Sequence, residues 1–166
     1  MLMEAGFQEA RQEARWQSLA CRPRFTQMTT SPDDLRRYSE LVMAGMSAKD
    51  VHDADELACM IEDGRLRAWW VDLGGEVAGW CALAPGYGKY FSDDWHLYGG
   101  WVRPDMRGRG LGRLMWRFRM RLVPKGSPIT VSIQPDKVAS MAIARRLGFR
   151  LLRSNPPWLV YAFDNH

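Results

Sequence analysis

A glycine- and arginine-rich segment between a predicted strand and a predicted helix constrains the fold more than any other feature of the sequence. The segment extends from Val102 to Arg113 and places glycines at positions 108, 110 and 112. Glycines let main-chain N–H groups approach an anion closely, because no Cβ intervenes. The helix that begins here adds unpaired N–H donors and the positive end of its dipole. Together with Arg107 and Arg109, these groups predict a cradle for a pyrophosphate.

Two well-known phosphate-binding motifs fit the segment poorly. A dinucleotide-binding GxGxxG motif would need a glycine where Arg113 stands, and it belongs in an early βαβ unit rather than in mid-chain after a hairpin. A Walker A loop would end in Gly-Lys-Ser or Gly-Lys-Thr, which the segment lacks. A Rossmann-type nucleotide enzyme therefore stays only an alternative, and the segment predicts a phosphate-binding turn in another fold.

The order of secondary structure is predicted from apolar periodicity and from turn residues. Ser31 and Pro32 mark a helix start, and Gly74-Gly75 marks a tight hairpin, because primed two-residue turns need positive φ. Strands are predicted near residues 24–28, 66–73, 77–84, 96–102, 129–133, 149–152 and 158–163. Helices are predicted from residue 32, from residue 53, over 108–122 and over 138–147. This order, β-α-α-β-β-β-α-β-α-β-β, is that of an α/β chain with a mixed sheet.

Length and composition indicate one domain and exclude several classes of protein. The chain has 166 residues, of which 46% are hydrophobic and 25% are charged, as is ordinary for a globular domain. We expect a single domain over residues 23–166 and a helical appendage over residues 1–22, which is a surface helix, a dimer contact or a mobile arm. No apolar run is long enough for a membrane span. Residues 1–15 also lack the apolar core of a secretory signal.

Cysteine and histidine usage argues against a metal or disulfide protein. Cys21, Cys59 and Cys81 match neither a zinc site nor a CxxC redox motif. An odd and sparse cysteine count suits a reducing compartment. The histidines are scattered at positions 52, 96 and 166. We therefore expect a cytoplasmic protein without a metal and without a membrane partner.

The positive charge of the chain comes mainly from arginine. The formal net charge is +4, and the 23 basic residues include lysine only at positions 49, 89, 125 and 137. Arginine favours forked recognition of phosphates and carboxylates. Arg113, Arg117 and Arg121 form a ridge along the predicted helix, with Arg119 adding charge nearby, which fits either a nucleic-acid surface or a solvated helix face. We expect the solvated face and no nucleic-acid partner.

The spacing Arg107-x-x-Gly110-x-Gly112 resembles the R/Q-x-x-G-x-G/A acyl-CoA signature of the GNAT superfamily of N-acetyltransferases. Downstream, Leu147-Gly148-Phe149 is similar to the LGF end of a helix in the same superfamily. The superfamily's fifth strand and the start of its next helix are also matched, at residues 129–134 and at Ala139-Ser140. The element order agrees from about residue 24 to residue 163, so the resemblance covers most of the chain.

The resemblance implies a mixed, mostly antiparallel central sheet with helices on both faces. In this superfamily the fourth and fifth strands splay apart, and the acyl-pantetheine arm of acetyl-CoA lies between them. The cosubstrate would place its pyrophosphate on the glycine turn and its pantetheine along the fourth strand. The resemblance assigns cofactor binding to Trp101, Val102, Arg103, Arg107, Gly108, Arg109, Gly110, Leu111, Gly112 and Arg113. Gly99-Gly100 stands where family members often carry a bulge, although a packing glycine would fit equally well.

The resemblance also implies transfer of an acetyl group from acetyl-CoA to a primary amine of a small molecule or protein, by direct attack in a ternary complex. A fixed N–H would stabilise the oxyanion, and a general base would take the proton of the amine. The chain departs from the common pattern at Ala144, where many members carry a tyrosine acid, and at Lys137, where many carry asparagine. A CoA-binding sensor or interaction domain without catalysis is therefore the alternative function.

Candidate catalytic residues stand just before or within the fourth strand. They are His96, Tyr98 and Asp94, with Asp93 beside them, and the residues alone do not choose among them. Histidine has a suitable intrinsic pKa near neutrality, tyrosine equally suits a wall of the acceptor pocket, and the aspartates suit a turn cap or the attraction of a cationic amine. The preceding loop fits either a cation–π wall or a cover for the core through Tyr87, Tyr90, Phe91 and Trp95. A homodimer is compatible with all of these features.

Overall fold

The computed structural model describes residues 22–46 and 52–166 of the chain. The strands are β1 (Arg24–Gln27), β2 (Arg67–Leu73), β3 (Glu76–Ala84), β4 (Trp95–Val102), β5 (Ile129–Ile133), β6 (Arg150–Asn155) and β7 (Trp158–Phe163). The helices are α1 (Pro32–Met43), α2 (Ala54–Glu62), α3 (Leu111–Arg121) and α4 (Val138–Arg146). The predicted N-terminal appendage lies outside the described residues, except for Arg22.

The strands form one mixed, seven-stranded sheet in the order β1-β2-β3-β4-β5-β7-β6. β4 and β5 run parallel, and the other neighbouring pairs are antiparallel. Gly74 and Gly75 join β2 to β3 with φ values of 62° and 86°, as a primed hairpin turn requires. The element order and the mostly antiparallel sheet confirm the fold class that the sequence predicts.

Side-chain caps fix where the first two helices begin. The Ser31 hydroxyl accepts a hydrogen bond from the Asp34 N–H at the start of α1, and the Asp53 carboxylate accepts one from the Glu56 N–H at the start of α2. The third helix differs from the prediction, because it begins at Leu111 rather than at residue 108. Between the end of β4 and the start of this helix lie a 3₁₀ turn over residues 104–106 and a turn through Gly108 and Gly110, both of positive φ.

Helices cover both faces of the sheet and divide the core into two clusters. On β2, Ala68 and Trp70 face the cluster beneath α1 and α2, whereas Trp69 and Val71 face the cluster beneath α3 and α4. This alternation is the period of two expected for a strand. The middle of β2 and most of β3 are therefore buried on both faces. Within the described ranges, each helix is too short or too polar to cross a lipid bilayer.

Candidate active site

β4 and β5 separate after two residue pairs. Within the described part of the chain, these parallel strands are in register only at Trp95 with Ile129 and His96 with Thr130, and β5 otherwise pairs with β7. Beyond His96, the register partners of β4 among the same residues lie in β3 alone. The edge of β4 that faces β5 is therefore open over residues 97–102, and we call this opening the fork. Because main-chain polar groups require partners, the fork can accept an extended ligand.

Gly99 forms a bulge in β4 beside the fork. The register with β3 skips this residue, since Tyr98 and Gly100 pair with consecutive residues of β3. Gly99 has a φ of 57°, and a Cβ there would lie 2.6 Å from the ring of Trp80, so both the conformation and the space require glycine. The bulge also reverses the alternation of side chains between the two faces of the strand. As a result, Tyr98 and Trp101, which are three residues apart, both pack in the α1 and α2 cluster. The expected bulge is thus present, and Gly99 is a packing glycine as well.

A buried arginine holds the bulge from the opposite face. Arg119 of α3 is only 2% exposed, and its guanidinium donates to the carbonyls of Gly99 at 2.7 Å and Ala82 at 2.9 Å. Desolvation lowers the pKa of Arg119, but arginine titrates so high that the group stays charged. The sequence predicts that Arg119 is one of the solvated charges of the helix, and this prediction is wrong. The buried guanidinium instead holds the main chain of the bulge in place.

The glycine turn presents main-chain donors at the start of α3. Gly108 and Gly110 have φ values of 74° and 86°, which place both in the left-handed region. The first hydrogen bond of the helix runs from the Leu114 N–H to the Gly110 carbonyl, and no side chain of the described residues caps this end. By helix geometry, the N–H groups of the first turn have no acceptor inside the helix. The turn therefore has the character of an anion-binding helix start.

The arginines before the turn contact protein acceptors. The Arg107 Nε donates to the Val102 carbonyl at 3.0 Å. Arg103 forms ion pairs with Asp105 at 2.7 Å and with Glu76 at 3.0 Å. Trp101, which is buried, and Val102 end β4 directly before these residues. The anion-binding character of the turn therefore depends first on main-chain N–H groups, and less on the Arg103 side chain than its charge alone would suggest.

His96, Thr130 and Asp94 form a buried chain of hydrogen bonds where β4 leaves β5. The Thr130 hydroxyl donates to Asp94 Oδ2 at 2.6 Å, and His96 Nδ1 lies 2.9 Å from the same hydroxyl oxygen. Because Thr130 donates its single hydrogen to Asp94, His96 Nδ1 must be the donor and carries the proton of the neutral ring. The Nε2 of His96 keeps its lone pair. Asp94 Oδ1 is buried and has no hydrogen-bond partner among the described residues.

Burial makes His96 a weak base. Its side chain is 5% exposed, and the Tyr87 ring stacks on it with centroids 4.5 Å apart. Desolvation lowers the pKa of His96 to about 3, and the charges of Lys89 and Arg119 act in the same direction. The ring is therefore neutral at physiological pH, and its Nε2 accepts hydrogen bonds but holds a proton poorly.

The Tyr98 hydroxyl meets a second histidine, one that the sequence patterns do not single out. His52 Nε2 and Tyr98 Oη share a hydrogen bond, and His52 Nδ1 lies 2.7 Å from Glu56 Oε2. A carboxylate only accepts, so Nδ1 donates to Glu56 and Nε2 of the neutral ring accepts the proton of Tyr98. The side chain of His52 is 24% exposed and that of Glu56 is 56% exposed, so this second chain reaches solvent.

The aromatic loop between β3 and β4 divides between the two faces of the sheet. Tyr87 stacks on His96, and the Tyr90 hydroxyl shares a hydrogen bond with a serine of β5 at 2.9 Å. Trp95 packs in the opposite cluster, beneath α3 and α4, and Phe91 is exposed. Of the four aromatic residues, Tyr87 and Tyr90 therefore line the face that carries His96.

The two departures from the common family pattern, Ala144 and Lys137, lie within α4 and directly before it. Ala144 is fully buried in the α3 and α4 cluster, and its carbonyl accepts a hydrogen bond from the Phe149 N–H at 2.9 Å. A methyl group cannot supply a proton to a leaving thiolate. Lys137 precedes the helix without a side-chain cap, and its ammonium lies 4.0 Å from Asp136. An acid, if the chemistry uses one, must come from another element.

Sequence reasoning missed four residues of this site. Thr130 and Arg119 carry no local signal, because a strand threonine and a helix arginine are ordinary surface residues. His52 and Glu56 do carry one, since an i, i+4 pair at a helix start can interact, but nothing local indicates Tyr98 as their partner. Among the residues described, no group of three or more histidine, cysteine, aspartate or glutamate side chains is arranged to hold a metal ion.

Comparison with known proteins gives one family. The sequence profile of the acetyltransferase (GNAT) family matches residues 33–149. A mycothiol acetyltransferase of Nocardia farcinica (strain IFM 10152) is 33% identical over 116 residues, which are 69% of this chain and 36% of that protein. The aligned part of the chain thus spans about a third of the length of this curated relative.

Solved structures show the same architecture. An acetyltransferase from Thermus thermophilus superposes with a TM-score of 0.62 at 25% identity, over 84% of this chain and 96% of that one. Arabidopsis thaliana NAA60, whose structure is a complex with acetyl-CoA, superposes with a TM-score of 0.64 at 13% identity, over 85% of this chain and 96% of that one. At 13% identity the second likeness concerns the fold alone.

Proposed function

Because the chain belongs to the GNAT acetyltransferase family, we propose that it transfers the acetyl group of acetyl-CoA to a primary amine of a small molecule or protein. The amine would attack the thioester directly while both substrates are bound. The observation that carries the proposal is the fork between β4 and β5, which opens onto the glycine turn at the start of α3. The fork would receive the thioester arm of acetyl-CoA, and the glycine turn that follows β4 would receive its diphosphate.

The cofactor side of the proposal depends on main-chain donors. The pyrophosphate would lie on the amides of residues 108–113, where the helix start favours negative charge. The pantetheine arm would lie along the open edge of β4, near Trp101 and Val102, and a main-chain N–H there would stabilise the oxyanion. Arg107 and Arg109 would add positive charge near the phosphates, with Arg113 on the first turn of the helix.

The acceptor side of the proposal is the face of β4 that carries His96 and Tyr98. Both side chains lie on one face, with ring centroids 6.3 Å apart. His96 would accept a hydrogen bond from the amine through Nε2, since its Nδ1 donates to Thr130. Asp94 would act at one remove, because it holds Thr130 and so fixes the orientation of the imidazole. Tyr98 would contact the reacting nitrogen.

Calorimetric titration with CoA tests the cofactor side. In Gly110→Glu, a side chain in a left-handed position and a negative charge at the helix start should abolish the affinity. Gly64→Glu is the matched control, because this glycine also has positive φ at an exposed helix end, with open space around it. The control should bind CoA as the unaltered protein does. Well-folded protein without CoA affinity would remove the proposal.

A CoA-binding sensor or interaction domain is the second candidate function. The buried Ala144 favours it, because the position of the family's acid carries a methyl group. This candidate predicts CoA binding without acetyl transfer. An acceptor screen that detects the released thiol, run over a broad panel of amines, separates the two, since turnover with any amine rejects the sensor.

Location and assembly belong to the same proposal. Cytoplasmic residence is consistent with Cys59 and Cys81, which are both free thiols. The active unit would be a monomer or a homodimer that acts on an amine substrate, without a nucleic-acid or membrane partner. Sedimentation of the purified protein distinguishes the two assemblies.

A further inference from the structure

We infer that the hydrogen-bonded chain Tyr98–His52–Glu56 is the proton acceptor for acetyl transfer, with Tyr98 touching the amine and His52 receiving the proton. The inference rests on the proposed acetyltransferase function and names the base that the sequence left open. Tyr98 is the catalytic residue in this arrangement. His52 and Glu56 are positioning residues, since they act through the tyrosine hydroxyl.

When the His52 ring is neutral, Glu56 sets the donor order along the chain. Glu56 can only accept, so the proton on the neutral His52 ring stays on Nδ1, 2.7 Å from Oε2. The Tyr98 hydroxyl therefore donates to Nε2. A hydroxyl oxygen that donates its hydrogen to a histidine can still accept a proton from another group. The arrangement is that of a carboxylate, an imidazole and a hydroxyl in line.

Tyr98 lies where the reacting nitrogen would have to come. It precedes the Gly99 bulge, and its strand has left β5 two residues earlier. The carbonyls of Gly99 and Ala82 are held by Arg119, so the main chain on which the tyrosine ring depends is fixed. His96 is its neighbour on the same face. The hydroxyl is thus positioned from rigid elements rather than from a loop.

His96 is the competing base, and its surroundings argue against it. A base that works near neutrality should hold a proton near neutrality. The imidazole of His96 is almost completely buried beneath Tyr87, with its Nδ1 bound to an internal threonine. Its pKa is lowered to about 3, mainly by desolvation. The His52 side chain, in contrast, is partly exposed and can release a proton to water.

The charged and titratable groups around His52 come from three elements. Glu56 and the helix cap Asp53 belong to α2, Tyr98 belongs to β4, and Tyr38 of α1 donates through its hydroxyl to the main-chain carbonyl of His52. Burial raises the pKa of Tyr38, and the charges of Tyr98, Asp53 and Glu56 add to this. Tyr38 therefore stays protonated, and its hydrogen bond to the His52 carbonyl supports the position of His52.

The step balances without any further reactant. The neutral amine attacks the acetyl carbon, the new C–N bond forms, and the C–S bond of the thioester breaks. The nitrogen gives one proton to Tyr98 Oη as the tyrosine passes its own proton to His52 Nε2. The resulting imidazolium donates to Glu56 through Nδ1 and later releases its extra proton to solvent or to the CoA thiolate. The products are the N-acetylated amine and CoA.

Chemical rescue provides the sharpest test. With an amine from the acceptor screen, His52→Ala should lower kcat/KM by about a hundredfold, which is typical for loss of a general base. Added imidazole can enter the half-open site left by the side chain and should restore activity in proportion to its concentration. Tyr98→Phe should show a similar loss that imidazole does not restore, because the hydroxyl itself is absent.

A matched pair of variants separates the relay from a general charge effect. Glu56→Gln should lower kcat/KM about tenfold and move the ascending limb of its pH profile, since the imidazolium loses its carboxylate. Asp55→Asn removes the same charge from the same helical turn and should leave rate and profile unchanged. Circular dichroism checks that each variant is folded.

The outcomes distinguish this inference from the proposed function. If the unaltered protein transfers acetyl groups and His52→Gln, as a second folded variant, keeps its rate and pH profile, the relay is wrong and the acetyltransferase stands. A loss in His52→Ala that imidazole does not restore, in a folded protein, also rejects the relay. If the unaltered protein binds CoA but acetylates no amine, the proposed function fails first and the inference falls with it.

Discussion

The two histidines beside Tyr98 have similar partners and opposite surroundings. Each donates through Nδ1 to a chain that involves a carboxylate, His96 by way of Thr130 to Asp94 and His52 directly to Glu56. The His96 chain is buried, with Asp94 and Thr130 fully inaccessible and only 5% of His96 exposed. The His52 chain opens to solvent at the glutamate. The same kind of hydrogen bonding therefore fixes His96 in the interior and leaves His52 accessible to solvent, as the proposed relay requires.

Burial, rather than the partner residue, decides between the two roles. Removing water penalises the charged imidazole and prevents the exchange of its proton. A buried polar chain is then useful mainly for holding a side chain in one orientation. An enzyme can use both kinds at one site, the first to orient the amine and the second to remove its proton. The contrast leads to three tests of decreasing expected effect.

The largest effect is expected from breaking the buried chain. Thr130→Val keeps the shape of the side chain but leaves Asp94 Oδ2 and the His96 N–H without partners in the interior. We expect the free energy of unfolding to fall by about 3 kcal/mol, measured by urea denaturation. Ser132→Ala, two residues along the same strand, is the control; it removes one partly buried hydrogen bond, to Tyr90, and should cost about 1 kcal/mol. A similarly small loss in Thr130→Val would mean that the hydrogen bonds among His96, Thr130 and Asp94 contribute little to the stability of the fold.

Over the two pH units below about 6.5, a somewhat smaller effect is expected when the buried histidine is titrated. The folded protein binds a proton at His96 only near pH 3, whereas the unfolded chain binds one near the ordinary pKa of 6.5. As the pH falls below 6.5 the unfolded state takes up the extra proton, so this group makes the protein less stable toward acid, by about 1.4 kcal/mol per pH unit. The effect ends near pH 3.

His96→Asn isolates this contribution, because the amide can still donate to Thr130 but does not titrate. Between about pH 6.5 and about pH 4.5 the unaltered protein should lose stability faster than the variant, with the slope difference given above. This window lies above the range where most carboxylates titrate. Parallel stability curves for the two proteins would show that His96 binds its proton equally well in the folded and the unfolded states.

The smallest effect on stability is expected at the open chain. Glu56→Gln should change the free energy of unfolding by less than about 1 kcal/mol, because a polar contact to an exposed carboxylate contributes little. Thermal and urea denaturation measure the change, with Asp55→Asn as reference. A loss comparable to that of Thr130→Val would make the two chains structural equivalents and would remove the distinction between them.

The glycine turn was predictable from the sequence because its conformation is decided locally. Gly108 and Gly110 are needed for their own backbone conformations, and the helix they precede follows at once. The bulge was partly predictable for the same reason, from Gly99-Gly100. The sequence prediction started α3 three residues too early. Gly108 and Gly110 have left-handed φ values, so the helix begins only after them, at Leu111.

The face of β4 that carries His96 and Tyr98 was less predictable because its partners come from distant segments. His96, Tyr98 and Asp94 were selected as candidates by their position near the fourth strand, and the structure brings His96 and Asp94 together through a residue of another strand. Tyr98 and His52 are 46 residues apart in sequence. Local patterns carry no information on such a pairing, because it depends on how α1 and α2 lie across the sheet. The catalytic assignments stay predictions.

The bulge at Gly99 has one more consequence. By adding a single residue to β4, it shifts the phase of the strand, so that Tyr98 and Trp101 both face the α1 and α2 layer. Without this offset, every side chain from residue 100 to the glycine turn would exchange layers. One glycine thus fixes which layer receives the side chains before the bulge and which layer receives those that lead to the glycine turn, so deleting a residue here would move one of the two sets to the other layer.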